Sequence, residues 1–403
     1  MATTSNEGMR KQASTRRSFS PATEAALDGM REIVRTNNRE WRTLPPHAYH
    51  SEEIFELEKE KIFRAGWVLI GRADQVSTPG SYMSVDVVGD PLVMARDKAG
   101  TLRVLSRVCR HRWMTVCSGS GTTNSFVCPY HAWTYGLDGS LIGAPAMDKT
   151  PCFDRADFGL LPVRYEVWEG FVFVNIDGKA ESLGSRLAPL AEALKEFGLS
   201  RWRTVKTRDY GICPWDWKVF QDNGECYHHL GAHRQTFELD FPAMNAWDSP
   251  NNGHYTLIWC GPREETLVTG DDGRPIMKTM FKPVSGLTDI QRTNLCLYYV
   301  LPNYFVYPSP DLCLAVRSFP LAAGRVHMLV DYILPPHVLE EPDYMPKIDE
   351  IEQYVDKFNA EDTEVCKEVQ RGLESSAATS GPLSRLEGHN RDMALWVARM
   401  LTS

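Results

Sequence analysis

The chain has 403 residues, 43% of them hydrophobic and 24% charged, and a formal net charge of −8. That length exceeds what one hydrophobic core usually organises, so two domains plus terminal extensions are expected, in a globular chain rather than a disordered or fibrous one. The acidic balance argues against a nucleic-acid partner; no apolar stretch is long enough for a membrane span, and the first residues lack a secretory core, which points to the cytoplasm.

In chain order, Met1 to Ser20 carries Arg10, Lys11, Arg16 and Arg17 among Ser and Thr and reads as a disordered tail rather than a transit peptide. Pro21 to about Asn37 has helical periodicity, and Ser51 to Trp67 reads as a second helix with Ile54, Phe55, Leu57, Ile62 and Phe63 on its buried side. From Val68 to Asn175 the pattern changes to short β-like runs, among them Val68 to Ile70, Met83 to Val88, Leu92 to Met94 and Phe171 to Val174, separated by Gly, Pro and Asp turns. A helical passage from Leu187 to Phe197 follows. Strands at Tyr255 to Cys260, Leu295 to Val300 and His327 to Leu334 then alternate with helices, which predicts an α+β domain with an antiparallel sheet. The expected divisions are 1–50 for the extension and first helix, 51–175 for a helix and β domain, and 176–403 for the α+β domain. Ten cysteines are spread too thinly for a disulfide scaffold, so a reducing compartment is expected.

Cys109-Arg110-His111 is followed, after sixteen residues, by Cys128-Pro129-Tyr130-His131. Two thiolates and two imidazoles in two short pairs suit either a tetrahedral zinc or a [2Fe–2S] cluster with sulfur ligands on one iron and histidines on the other. Ligand types alone leave both open. Cys117, eight residues after Cys109, has no place in the pattern and reads as a small buried hydrophobe.

A second crowding runs from Trp217 to His233 and is predicted as one helix, with Glu225 three residues before His228 and four before His229. Spacing favours His229 with His233 as an i, i+4 pair, although a break at Gly231 lets His228 and His233 converge instead. A mononuclear iron oxygenase needs two histidines and one carboxylate on one face. Far downstream, Ile351, Val355, Phe358, Val365 and Val369 form an apolar stripe with Asp362 in its middle, where a buried carboxylate demands a partner. Glu361, Glu364 and Glu368 fall off the stripe and are expected on the solvated surface.

Cys109 to Arg112 together with Cys128 to Leu141, including Trp133, Tyr135, Gly136, Asp138 and Gly139, resembles the Rieske domain of aromatic-ring-hydroxylating and related oxygenases. Glu225-Cys226-Tyr227-His228 with His233, and Glu361 to Gly372, resemble the same family's catalytic motif and third-ligand region. The resemblance implies an α+β chain in which an all-β Rieske [2Fe-2S] domain precedes a helix-grip catalytic domain with an antiparallel sheet. It implies Cys109 and Cys128 on one cluster iron and His111 and His131 on the other, with His228, His233 and Asp362 on a mononuclear Fe(II). His229 then becomes a residue that supports the ligands or packs beside them, not a ligand itself. Glu225 is implied as the catalytic carboxylate that bridges His228 to His131 of a neighbouring subunit, in a homotrimer where electrons cross between subunits. NAD(P)H acts indirectly, through a reductase and possibly a ferredoxin, because no dinucleotide fingerprint occurs here.

Two departures stand out. Trp113 follows the His-Arg pair where the family commonly has Gly, and the gap from Trp217-Lys218 to Glu225 is short, so that Asn223 or Gln221 occupies the place of the family's nearby Asn. The implied activity is that of the terminal oxygenase component, using O₂ on a small organic molecule by hydroxylation or demethylation. Trp247, Tyr255, Trp259, Tyr298, Tyr299 and Phe305 lie where the family's pocket is lined, and such rings stack on aromatic compounds or cage quaternary ammonium groups. The Glu225 string resembles betaine- or carnitine-oxidising members; His229 to His233 resembles ring-hydroxylating or demethylating ones, and aromatic substrates are placed slightly ahead. The rivals from other classes are a Rieske electron carrier and a zinc-binding adaptor.

Overall fold

The computed structural model describes residues 18–225, 228, 231–234 and 236–403, so the basic tail up to residue 17 and His229 lie outside it. The first helix, Pro21–Thr36, is fixed by its ends. The Ser20 hydroxyl accepts the Thr23 N–H at 3.3 Å, Pro21 occupies the first position where its missing N–H costs nothing, and Asn37 closes the helix at φ 52°. Its buried Ala26, Leu27, Met30 and Ile33 seat it against the C-terminal helix Gly388–Thr402.

The second helix runs Glu52–Glu58 and continues through a wider turn over Lys59–Arg64, burying the five apolar residues expected of it. It also buries Glu58, which periodicity did not mark. Lys218 explains this: its ammonium lies 2.6 Å from Glu58 and 2.5 Å from Asp216, and the Trp217 indole donates to Glu58 at 2.8 Å. The two carboxyls share one ammonium, and burial, with Asp216 beside it, lifts the Glu58 carboxyl to about 7 against the pull of Lys218.

The β region contains a four-stranded antiparallel sheet in the order Leu102–Ser106, Asp90–Arg96, Ser81–Val87, Ser120–Thr122, and a three-stranded sheet of Phe126–Val127, Thr134–Tyr135 and Leu141–Gly143. Val93, Leu105, Phe126, Trp133 and Tyr135 form the core between them. A third sheet pairs Val68–Arg72 with Phe171–Asn175 and Arg164–Trp168.

The remaining chain builds a seven-stranded antiparallel sheet in the order Arg203–Cys213, Arg325–Leu334, Cys313–Ala322, Tyr304–Pro308, Leu295–Val300, Thr256–Cys260, Ala246–Asp248. Side chains alternate across it. Tyr255, Trp259, Tyr298 and Tyr304 face a core with the short helices of residues 183–201, while Phe305, Met328 and Val330 face the thirty-residue helix Tyr344–Leu373. That helix keeps Ile351, Val355 and Phe358 against the sheet as the stripe predicts. Beyond them the stripe fails: Val365 is half-buried and Val369 exposed, and the inward positions are Asp362, Cys366 and Gln370. Polar partners set that face, since Gln370 accepts the Asp216 N–H at 2.9 Å.

The single helix predicted over Trp217 to His233 is not formed. A helix covers Trp217–Asp222 only, and a short one resumes at Phe237–Asp240. The break comes at Asn223 and Gly224, earlier than Gly231. A Cβ on Gly224 would stand 2.6 Å from the Tyr299 ring, whose hydroxyl donates to the Gly224 carbonyl. No helix among the described residues is long and apolar enough to cross a membrane.

Candidate functional site

The two Cys/His loops are built on one backbone pattern. The Cys109 N–H donates to the Met114 carbonyl at 2.8 Å and the Trp113 N–H returns to Cys109 at 3.1 Å; Cys128 and Trp133 repeat the first bond at 2.7 Å and Ala132 and Cys128 the second at 3.0 Å. The residue four after each cysteine is left-handed, Trp113 at φ 59° and Ala132 at φ 58°. That requirement explains why Gly is the expected occupant and why Trp113 is a departure: a bulky residue there is strained. Its ring is 82% exposed, so it finds the room it needs outside the loop.

Both thiols are buried and lie against one another, and the Tyr135 hydroxyl is 3.2 Å from the Cys109 sulfur. Burial raises the Cys128 thiol, while backbone N–H groups of Tyr130 and His131 pull it back down by donating to the sulfur. The imidazoles of His111 and His131 sit 4.6 Å apart, and His111 stacks on Trp133 at 4.9 Å. Burial, then the neighbouring His131, holds His111 below its ordinary pKa. The Nδ1 atoms of both rings are buried without a hydrogen-bond partner among the described residues. Two sheltered thiols beside two orphaned ring nitrogens fit a thiolate- and imidazole-ligated iron–sulfur cluster. Cys117 is half-buried against the same core, and burial pushes its thiol up to about 11, as suits a packing residue.

The second site lies where the broken helix meets the long one. Asn223 donates to Asp362 Oδ1 at 2.9 Å, and His233 Nε2 lies 2.9 Å from the same oxygen. Of the two candidates for the family's Asn, Asn223 therefore reaches the carboxylate. Gln221 instead lies fully buried, its backbone carbonyl facing His389 Nε2 at 3.2 Å. Glu361, expected on the solvated surface, turns inward: its Oε2 is 2.8 Å from His233 Nδ1 and accepts the Thr236 hydroxyl at 2.6 Å. Glu225 is buried, but the bond expected between its carboxylate and the His228 ring is not seen. The link is backbone, His228 N–H to Glu225 carbonyl at 2.7 Å, while His228 Nε2 faces the Ser384 hydroxyl at 3.2 Å and its Nδ1 has no partner among the described residues. Among the described residues, no three His, Cys, Asp or Glu side chains are gathered closely enough to hold one ion; His233 and Asp362 meet, and His228 stands with Ser384. The orphaned nitrogen of His228 and the paired His233 and Asp362 are nevertheless the donor set that a two-histidine, one-carboxylate iron uses.

A cavity of about 260 Å³ opens beside Asp362. Phe220, Phe237, Phe305, Tyr307, Tyr354 and Phe358 are among its rings, Asn223 and Asp362 among its polar groups, and no Lys or Arg is among its described lining residues. Of the six aromatic residues expected to line it, only Phe305 does. Tyr255, Trp259 and Tyr298 are on the opposite face of the sheet, Trp247 is on its edge and 43% exposed, and Tyr299 stacks on His389 at 3.8 Å. Strand alternation carries the signal that separates Phe305 from Tyr298, once the strand pairing is known.

Behind the site a polar shell joins remote parts of the chain. Tyr49 donates to Asp222 Oδ2 at 2.7 Å and Asn390 to the Asp222 carbonyl at 2.9 Å. Burial lifts the Asp222 carboxyl to about 7, the Tyr49 hydroxyl opposing and the Glu225 charge adding.

Residues 66–154 match the family described as Rieske [2Fe-2S] domain, and residues 199–403 match the ring hydroxylating alpha subunit (catalytic domain). The carnitine monooxygenase oxygenase subunit of Acinetobacter baumannii is 30% identical over 340 residues, 83% of this chain and 85% of that one. The chloroplastic choline monooxygenase of Spinacia oleracea is 29% identical over 347 residues, 84% of this chain and 73% of that one. A crystal structure of a quaternary ammonium Rieske monooxygenase with an inhibitor superposes with a TM-score of 0.77 at 27% identity, covering 92% of this chain and 98% of that one. Naphthalene 1,2-dioxygenase from Rhodococcus sp. shares the fold, with a TM-score of 0.78 at 21% identity over 95% of this chain and 99% of that one.

Proposed function

This chain belongs to the Rieske non-haem iron oxygenases of the ring-hydroxylating alpha-subunit family, and we propose that it oxidises a small quaternary ammonium compound, or a related amine, that carries no carboxylate. As a member it is an oxygenase component with a Rieske [2Fe-2S] cluster and a mononuclear iron, fed with electrons by a reductase.

In this reading Cys109 and Cys128 hold one cluster iron, and His111 and His131 hold the other through Nδ1. His228, His233 and Asp362 hold the catalytic iron. When bound, these centres supply electron storage and O₂ activation. The protein's own groups do the rest: Tyr135 and the backbone N–H groups of residues 130 and 131 stabilise charge on the thiolates, Asn223 aims the Asp362 carboxylate, and the cavity rings exclude water and orient the substrate. Glu225 carries the connection toward a neighbouring subunit's His131. The overall change inserts one oxygen atom into a C–H bond next to nitrogen and releases the other as water, consuming two electrons and two protons.

The observation that carries the substrate class is the ring-lined cavity without a described Lys or Arg. Aromatic faces attract a desolvated ammonium by about 0.5–2 kcal/mol each, whereas a substrate carboxylate would enter with no countercharge, at a cost of several kcal/mol. The relatives named for carnitine and choline support the quaternary ammonium class, which reverses the preference for aromatic substrates. Within that class the lining favours a choline-like cation over a carnitine-like zwitterion. An uncharged aromatic ring is the second reading, since the same apolar walls accept it.

The test is a single exposure to O₂ of reduced protein incubated with choline-like cations, betaines and uncharged aromatic compounds, followed by mass spectrometry. Oxygenation or demethylation of the cations alone is expected. Turnover of an uncharged aromatic compound would replace this reading with the second, and turnover of carnitine alone would remove the charge argument. We place the electron route between copies in a homotrimer, a route discussed for a similar quaternary ammonium monooxygenase of TM-score 0.75. Light scattering that finds active monomer would exclude it. The nine described cysteines are all free, which supports a reducing, cytoplasmic setting.

A further inference from the structure

We propose that Glu361, clamped by Thr236, is the positioning residue of the mononuclear iron site: it fixes the proton of His233 on Nδ1, leaving Nε2 bare for the metal. The inference rests on the iron reading above and extends it to a residue outside the ligand set.

Glu361 and Asp362 are neighbours on the long helix, about 100° apart around its axis. They straddle one imidazole. Glu361 Oε2 lies 2.8 Å from Nδ1 and Asp362 Oδ1 lies 2.9 Å from Nε2. A neutral imidazole has one proton for these two carboxylates. When a cation shares the site with Asp362, Nε2 must offer a lone pair, so the proton belongs on Nδ1, where Glu361 accepts it. A carboxylate on the far nitrogen also makes the near one a stronger donor.

The surroundings leave the ring little freedom. Thr236 donates its hydroxyl to the same Glu361 oxygen at 2.6 Å, the His233 carbonyl accepts the N–H groups of Thr236 and Glu238 at 3.2 and 3.1 Å, and Phe358 stacks on the imidazole at 4.3 Å. His233 is wholly buried, and Glu361 is 23% exposed, so solvent touches only the outer side of the pair. No carboxylate does this for His228, whose Nε2 meets a hydroxyl and whose Nδ1 has no partner among the described residues. The two histidines are therefore unequal, and His233 with its carboxylate is the better-fixed donor.

The experiment strips the mononuclear metal from the full-length protein by anaerobic dialysis, leaving the cluster in place, and titrates Co(II) while following its visible d–d bands and binding heat. Wild type is expected to bind one Co(II). Glu361→Ala is expected to bind it about 10–100-fold more weakly, with altered bands. Glu361→Gln, which keeps an acceptor oxygen but not the charge, is expected to fall between, and Thr236→Val to lose less than Glu361→Ala. Cluster absorbance and Tm without added metal should be unchanged in all three. Equal affinity and identical bands in Glu361→Ala would overturn this proposal alone. Parallel loss of cluster colour and Tm would also overturn it, making Glu361 a packing residue. Wild type that binds no Co(II) would remove the iron reading together with it.

Discussion

The cluster loops and the mononuclear site use the same residue types and are built in opposite ways. Each cluster loop carries its proposed ligands within four residues and closes on itself with the same two backbone bonds, so its geometry is local. The proposed mononuclear site takes Asn223 and His233 from the segment where the predicted helix breaks and Asp362 from the long helix over a hundred residues later, so its geometry exists only once the fold does. A local site tolerates damage elsewhere; a distributed site inherits it.

The sharpest way to break the comparison is to remove one ligand from each side. Asp362→Ala is expected to abolish turnover and the mononuclear metal while the protein keeps its cluster absorbance; Cys128→Ser should lose the cluster absorbance and keep Co(II) binding. Metal analysis with visible spectroscopy checks both, and loss of both centres from either variant would show that they are not independent.

Lys218→Ala comes next. It leaves the buried Glu58 and Asp216 carboxyls without their shared cation, and is expected to cost about 3–5 kcal/mol, seen as a lower midpoint in urea. The damage should reach the mononuclear metal first, because Lys218 sits on the short helix that ends at Asn223.

The polar shell offers a pH test of the distributed site. Asp222 is raised from 3.8 to about 7, chiefly by burial. Between about pH 4 and 7 the folded state then holds a proton that the unfolded state has lost, so stability falls as pH rises through that window and is fully present only below it. Asp222→Asn is expected to flatten this slope in urea unfolding; an unchanged slope would mean that Asp222 does not titrate as described. The smallest effect belongs to the local site. Trp113→Gly removes a left-handed strain of about 1–2 kcal/mol and is expected to raise Tm slightly without changing the cluster spectrum.

The same contrast explains what the sequence reveals. Cys109, His111, Cys128 and His131 are legible because ligand and loop share one short string, and the antiparallel sheet is legible from its β-rich runs. His228 comes from resemblance, not from spacing, which favours His229 with His233, while Asp362 is marked by its place in the apolar stripe before the resemblance gives it a role. Glu361 is misjudged because helical periodicity sorts residues by hydrophobicity, while here the inward face of the helix is chosen by a histidine and a threonine from another segment. The cavity rings are missed for a related reason: alternation says that Tyr298 and Tyr299 face opposite ways, but not which way is the cavity. Glu58 is invisible until Lys218 lies beside it.

Both ends of the chain reach the distributed site: Tyr49 near the start and His389 and Asn390 near the finish touch consecutive residues of the short helix, Gln221 and Asp222. Protein synthesis is directional, and domains fold as they emerge from the ribosome. The cluster loops are complete while most of the chain is unmade, whereas the second metal must wait for the final helix. A nascent chain halted at residue 380 is therefore expected to be brown and yet unable to keep its third iron, which makes the order of metal loading a consequence of the order of translation.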